Sequence, residues 1–259
     1  MGREQREAQE ILNDAFGKKS LSGEEFLALL DRSDIQGAAE KAPPTALFVA
    51  LLRSDVFDEK DSGQDGEAIR VFRDLLAHEM VKEQARKAPG MLFYFCFSQG
   101  VIRDMSRADC VAAIPVALDS DIVREIGRQD TDLLIRSVFD TMDSLFIPHG
   151  EKKELFRSIL ANDTMRTAAE SKPSAFLKYV QRSIRLSVKK DDAFDEEYRP
   201  FLEVARDSDV VQNALRHVED TTGALSRLFR PAAEGVTGAS EEKPSAEGPS
   251  GAAPTVELR

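Results

Sequence analysis

The chain has 259 residues, 42% of them apolar, enough for a core that needs neither disulfides nor a metal to hold it together. Its formal net charge of −11 opposes sequence-independent binding to phosphate polymers. Its longest apolar run, MLFYFCF at 91–97, falls far short of the ~20 residues that cross a bilayer, so no membrane insertion is expected.

The opening stretch, MGREQREAQEILNDAF, carries charges where a secretory leader needs apolar residues, and Arg6 stands where N-myristoylation wants Ser or Thr. Residues 1–19 are predicted as an amphipathic capping helix, with Ile11, Leu12 and Phe16 available for docking. Cys96 and Cys110 lie outside any CxxC and read as reduced core thiols of a cytoplasmic protein.

From residue 20 onward the chain repeats itself. AAEKAPPTALF at 38–48 is echoed by QARKAPGMLF at 84–93 and AAESKPSAFL at 168–177. Offsets of 46, 41, 43 and 45 align three columns: Phe26, Phe72, Ala113, Phe156, Phe201; Ile35, Val81, Ile122, Met165, Val210; and Ala39, Ala85, Ile126, Ala169, Ala214. In the third copy Ala113 replaces a phenylalanine, and Asp130 stands where the others carry Pro89 and Pro173. Any amphipathic helical protein yields some such matches, but the recurrent Lys-Ala-Pro-like break and the Gly-Glu before the phenylalanine in copies two and four favour true repetition.

Each copy reads as three helices. In the fourth these are GEKKELFRSIL, then DTMRTAAES capped by Asn162 or Asp163, then PSAFLKYVQRSIRLSV opening on Pro173, a residue tolerated in a first helical turn. SDI or SDV opens the middle helices at Ser33, Ser120 and Ser208, predicting a Ser or Asp cap before an apolar residue.

Stretches such as ALDSDIVREI and VARDSDVVQNAL resemble the helix starts of HEAT and armadillo repeats, and units of about 44 residues with two or three helices match their size. The resemblance spans residues 20–230. It implies an all-α, solenoid-like stack of about five divergent repeats, with each third helix lining a concave partner-binding surface. An irregular globular helical bundle is the alternative fold. Residues 231–259 are rich in Gly, Ala, Ser, Pro and Glu, a composition expected to remain disordered.

Motifs for chemistry are few. An EF-hand count from Asp61 places Asp65 and Gly66 correctly, but Gly63 offers no side-chain oxygen and Phe72 occupies the place of the bidentate glutamate. HEMVK at 78–82 lacks the second histidine of a zinc site, and His149 and His217 have no ligand spacing to His78. No phosphate-binding glycine loop or nucleophile elbow occurs. The expectation is a protein with no catalytic residue, metal or cofactor. The aromatic run MLFYFCFSQGVI reads as the buried helix of a central repeat.

One stripe stands out. Lys178, Arg182, Arg185 and Lys189 recur at helical spacing opposite Leu177, Val180, Ile184 and Val188. Such a stripe is either a solvated face, neutralised by DDAFDEE at 191–197, or a docking strip. The sequence therefore predicts an adaptor binding a partner protein, through an acidic segment of that partner, on these four residues. Nucleic-acid or phosphate-ligand binding through 178–190 is the competing reading, and it would require more cations and interleaved aromatics.

Overall fold

The computed structural model describes residues 2–17, 21–57, 66–97, 101–102, 105–185, 199–218 and 228–229, with the side chain of Arg185 excepted. Among them the protein is all-helical. The order is α1 Arg3–Phe16, α2 Gly23–Leu30, α3 Ser33–Lys41, α4 Thr45–Leu51, a 3-10 turn Asp55–Phe57, α5 Glu67–Ala77, α6 Glu79–Lys87 and α7 Pro89–Phe97. It continues with α8 Arg107–Asp119, α9 Asp121–Gln129, α10 Thr131–Ser144, α11 His149–Ala161, α12 Asp163–Ser171, α13 Pro173–Arg185, α14 Arg199–Asp207 and α15 Asp209–Arg216. No described helix is long and apolar enough to cross a membrane.

The helices pack in three series. In the first, α2 packs on α5, α5 on α8, α8 on α11 and α11 on α14. The second runs α3, α6, α9, α12, α15, and the third α4, α7, α10, α13, each helix touching the next. Polar contacts bridge successive triplets: Glu67 accepts from the Gly23 amide at 3.3 Å, Asn162 Nδ2 donates to Asp119 Oδ1 at 2.8 Å, and Thr164 Oγ1 donates to the Leu118 carbonyl at 2.7 Å. Arg107 clasps both carboxylate oxygens of Glu151 through one guanidinium edge, Nε and Nη2.

The corners between helices are fixed by local chemistry. His78, Ser120 and Asn162 each end one helix and cap the next, with φ/ψ of −71/132, −72/139 and −72/134. Ser120 Oγ accepts from the Val123 amide and Asn162 Oδ1 from that of Thr164, satisfying orphan donors of a first turn. His78 does the same through Nδ1, which accepts from the Met80 amide at 3.3 Å. That bond assigns the ring proton to Nε2, which lies 3.2 Å from Asp31 Oδ1. Ser208 caps α15, whereas Ser33 is the first residue of α3 and its N-cap, Arg32, makes no side-chain cap bond. The prediction for Ser33 is thus corrected.

The breaks before α7, α10 and α13 share one shape, with Ala88, Asp130 and Lys172 at φ/ψ of −137/65, −131/74 and −137/62, whereas Ala42, which ends α3, is extended at −70/162. Proline follows at 89 and 173 because its ring disfavours helical geometry in the preceding residue. At the third break Asp130 reaches the same geometry without proline, and its carboxylate caps α10 by accepting from the Leu133 amide at 3.0 Å. Thr131, not Asp130, therefore stands in the proline column.

Corners and breaks both recur every 42 residues through the middle of the chain, which corrects the sequence offsets of 41 and 43. The sequence alignment was one residue out in the third copy for a physical reason. Ala113 and Ile114 are both buried, as are Ile122 and Val123, so either register keeps the columns apolar. The alignment columns are buried throughout, from Phe26 at 0% exposed to Val210 at 4%.

Among the described residues the core holds two larger aromatic clusters beside the stacked Phe93–Phe97 pair. Phe57, on the 3-10 turn, lies 6.0 Å from Phe26, 6.4 Å from Phe72 and 6.1 Å from Phe95, joining α2, α5 and α7. Phe139, Phe156, Phe176 and Phe201 form the other. Between them α8 and α9 supply aliphatic residues, Ile114, Leu118, Val123 and Ile126. At the N-terminus α1 packs on α2, α3 and α4 with Ala8, Leu12, Ala15 and Phe16 buried. Ile11, expected to dock, is instead 44% exposed. The C-terminal stretch 231–259 and most of the Asp61 loop lie outside the described residues.

Candidate functional site

Matched breaks launch α7, α10 and α13 alike, so residues at equal positions along them fall in register across adjacent helices. The sixth residues are Tyr94, Arg136 and Lys178. Tyr94 is 60% exposed, and Arg136 and Lys178 are exposed as well. Neither cation has an ion-pair partner among the described residues. The remainder of MLFYFCF is core as expected: Leu92, Phe93, Phe95, Cys96 and Phe97 are buried.

The predicted stripe begins on this face. Lys178 and Arg182 both project from its exposed side. The Arg182 guanidinium lies 2.9 Å from Asp140 Oδ1 on α10, outside hydrogen-bond geometry, and 5.8 Å from the centre of the Tyr179 ring, which stacks on Phe139. Beside it Lys172 pairs with Asp132 at 3.5 Å. Carboxylates facing the stripe are thus supplied by α10; DDAFDEE, Lys189 and the side chain of Arg185 lie outside the described residues. Tyr94 and Arg136 were missed because each is unremarkable in its own helix, and only the common register aligns them with Lys178.

Beneath this face, burial pushes the Asp143 carboxyl up to about 6, while the Ser183 hydroxyl, Lys152 and Arg182 pull the other way. Lys152 Nζ donates to the Asp143 carbonyl at 3.0 Å and the Leu145 carbonyl at 3.3 Å, capping the C-terminal end of α10. Burial lowers the Lys152 pKa.

Polar clefts recur at the corners. Arg73, Lys82, Asp119 and Asp121 line one; Arg157, Arg166, Asp207 and Asp209 line its counterpart, with Leu76 and Val116 matched by Leu160 and Val204. Three of these four cations pair within their own helices, Lys82 with Glu79 at 2.8 Å, Arg157 with Glu154, and Arg166 with Asp163 at 3.8 Å. Among the described residues no group of three or more His, Cys, Asp or Glu side chains is placed to hold a metal ion. Cys96 and Cys110 are buried free thiols, and burial pushes Cys110 up to about 11. A thiol so raised is a poor nucleophile at neutral pH.

The chain matches no protein-family model, no curated protein and no solved structure.

Proposed function

We propose that the protein is a non-enzymatic adaptor, a solenoid-like stack of about five divergent helical repeats that binds an acidic segment of a partner protein across its third-helix face. The observation that carries this reading is the row Tyr94, Arg136 and Lys178, one exposed side chain per helix at a common position. Two of the three are cations without ion-pair partners among the described residues, in a chain whose net charge is −11. Such a row complements negative charge, and the exposed tyrosine adds an apolar anchor with a polar tip. Arg182 extends the same surface along α13. The three helix series and the repeating corners support the HEAT- or armadillo-like arrangement. Asp132 and Asp140 on this face disfavour a phosphate polymer as ligand, and the buried thiols suit the cytoplasm.

Neighbouring helices lie about 8–10 Å apart and an extended chain advances about 3.3 Å per residue, so a segment crossing them would meet one row position every three residues or so. Selection from a random peptide library tests this. Enrichment of peptides with acidic residues about three positions apart is expected. Arg136→Glu with Lys178→Glu should abolish it while the circular dichroism stays unchanged. Peptides without charge preference, or binding retained by the double variant, would remove this surface from consideration. Tight oligonucleotide binding with a steep salt dependence would favour the nucleic-acid reading.

A further inference from the structure

We propose that the notch between α9 and α12 is an oxyanion site that takes a phosphate monoester between Arg124 and Arg128. It lies on the second-helix series and is independent of the third-helix face.

The neighbouring junction provides the template. On α6, Lys82 and Arg86 stand one turn apart, and the Glu125 carboxylate of α9 lies against them. Arg86 holds it through two bonds, of 2.9 and 3.0 Å, and the pairing lowers the Glu125 pKa. One period on, Lys82 and Arg86 become Arg124 and Arg128 on α9, and the position of Glu125 becomes Thr167 on α12. The cations are kept and the anion is gone.

What remains is a cavity of about 150 Å³ lined by Arg124, Arg128, Thr167 and Ser171, with Gly127 and Leu134 among its apolar residues. That is several times the ~30 Å³ of a water molecule and below the ~300 Å³ at which pockets for drug-sized ligands begin. A small tetrahedral anion fits it. Arg124 is already braced, its guanidinium donating to the Asp119 carbonyl at 3.2 Å and pairing with Asp121 at 3.4 Å. Arg128 has no ion-pair partner among the described residues and is exposed at the rim. The Thr131 hydroxyl donates back across the break to the Gly127 carbonyl of α9, and the Thr167 hydroxyl to the Asp163 carbonyl one turn earlier in α12. The guanidiniums and Ser171 are therefore the donors an anion would meet. Paired guanidiniums match phosphate oxygens in number and in plane, and a doubly charged monoester complements both.

The test is calorimetric titration of the full-length chain at low ionic strength with inorganic phosphate, O-phosphoserine and acetate. Saturable binding of inorganic phosphate and O-phosphoserine is expected, at least about tenfold tighter than acetate, because charge-assisted bonds to a dianion are the stronger. Arg128→Ala should abolish it. Thr167→Glu restores the carboxylate of the neighbouring junction, so it should also abolish binding and raise the melting temperature in phosphate-free buffer. Phosphate affinity unchanged by both substitutions, or no binding at all, overturns the site. Acetate binding as tightly as phosphate overturns the phosphate class, and binding of the inorganic ion alone overturns the ester.

Discussion

The Thr164 hydroxyl donates to the carbonyl of Leu118 across 2.7 Å, fastening the first turn of α12 to the end of α8. Thr164 is 5% exposed, so the bond is shielded from water. Thr164→Val keeps the shape and strands a carbonyl, which costs about 1–3 kcal/mol. Urea unfolding should show the loss at unchanged m-value, with a melting temperature lower by several degrees.

Phe57 joins Phe26, Phe72 and Phe95 from a single 3-10 turn. Phe57→Ala should cost about 3–5 kcal/mol, since three helices contribute rigid walls to the cavity and collapse would have to move all of them. Phe57→Leu should recover more than half of that loss in the same denaturant titration.

At Gly23, α2 lies tight against α5. A Cβ there would sit 2.4 Å from Val71 Cγ2 and 3.0 Å from Glu67 Oε1. Gly23→Ala should destabilise by about 1–3 kcal/mol through overpacking. Adding Val71→Ala, which removes the obstructing methyl, should make the double variant more stable than the sum of the single effects predicts.

Asp143 gives a pH signature. Its folded-state pKa is raised from 3.8 to about 6 by burial. The folded state therefore binds this proton more tightly than the unfolded chain does. The contribution favours folding in full below pH 3.8 and is lost as pH rises through about 6. Asp143→Asn, neutral throughout, should be more stable than the wild type near neutral pH by on the order of 1 kcal/mol, discounted for partial solvent access. The difference should fade as the pH of the unfolding titration is lowered towards 4. A constant difference across that range would assign the effect to packing instead.

The sequence and the structure agree most closely where one residue type has one physical use. Pro89 and Pro173 mark breaks because proline constrains its predecessor, and Ser120 and Ser208 mark helix starts because a hydroxyl suits a free amide. Agreement fails where chemistry is interchangeable. A histidine caps α6 as a serine caps α9, and no propensity for capping identifies it. An aspartate at 130 adopts the backbone of a residue before proline and hides the third break. Adjacent buried residues such as Ala113 and Ile114 leave the alignment free to slip by one. The candidate surface was legible on α13 alone, where Lys178 and Arg182 share a helix. Arg128 and Thr167 were invisible because a missing partner leaves no mark in a linear sequence.

The corners at His78, Ser120 and Asn162 share one backbone geometry and one spacing, which makes the chain between them interchangeable stock. A chain cut after Ser120 and rejoined at Asp163 would meet the same turn it left, with α12 following α8 as α9 does now. Slippage of genetic material by one such length would then yield a shorter or longer protein with every bend intact. A gain or loss of one 42-residue spacing is thus the change of length that would leave these turns undisturbed.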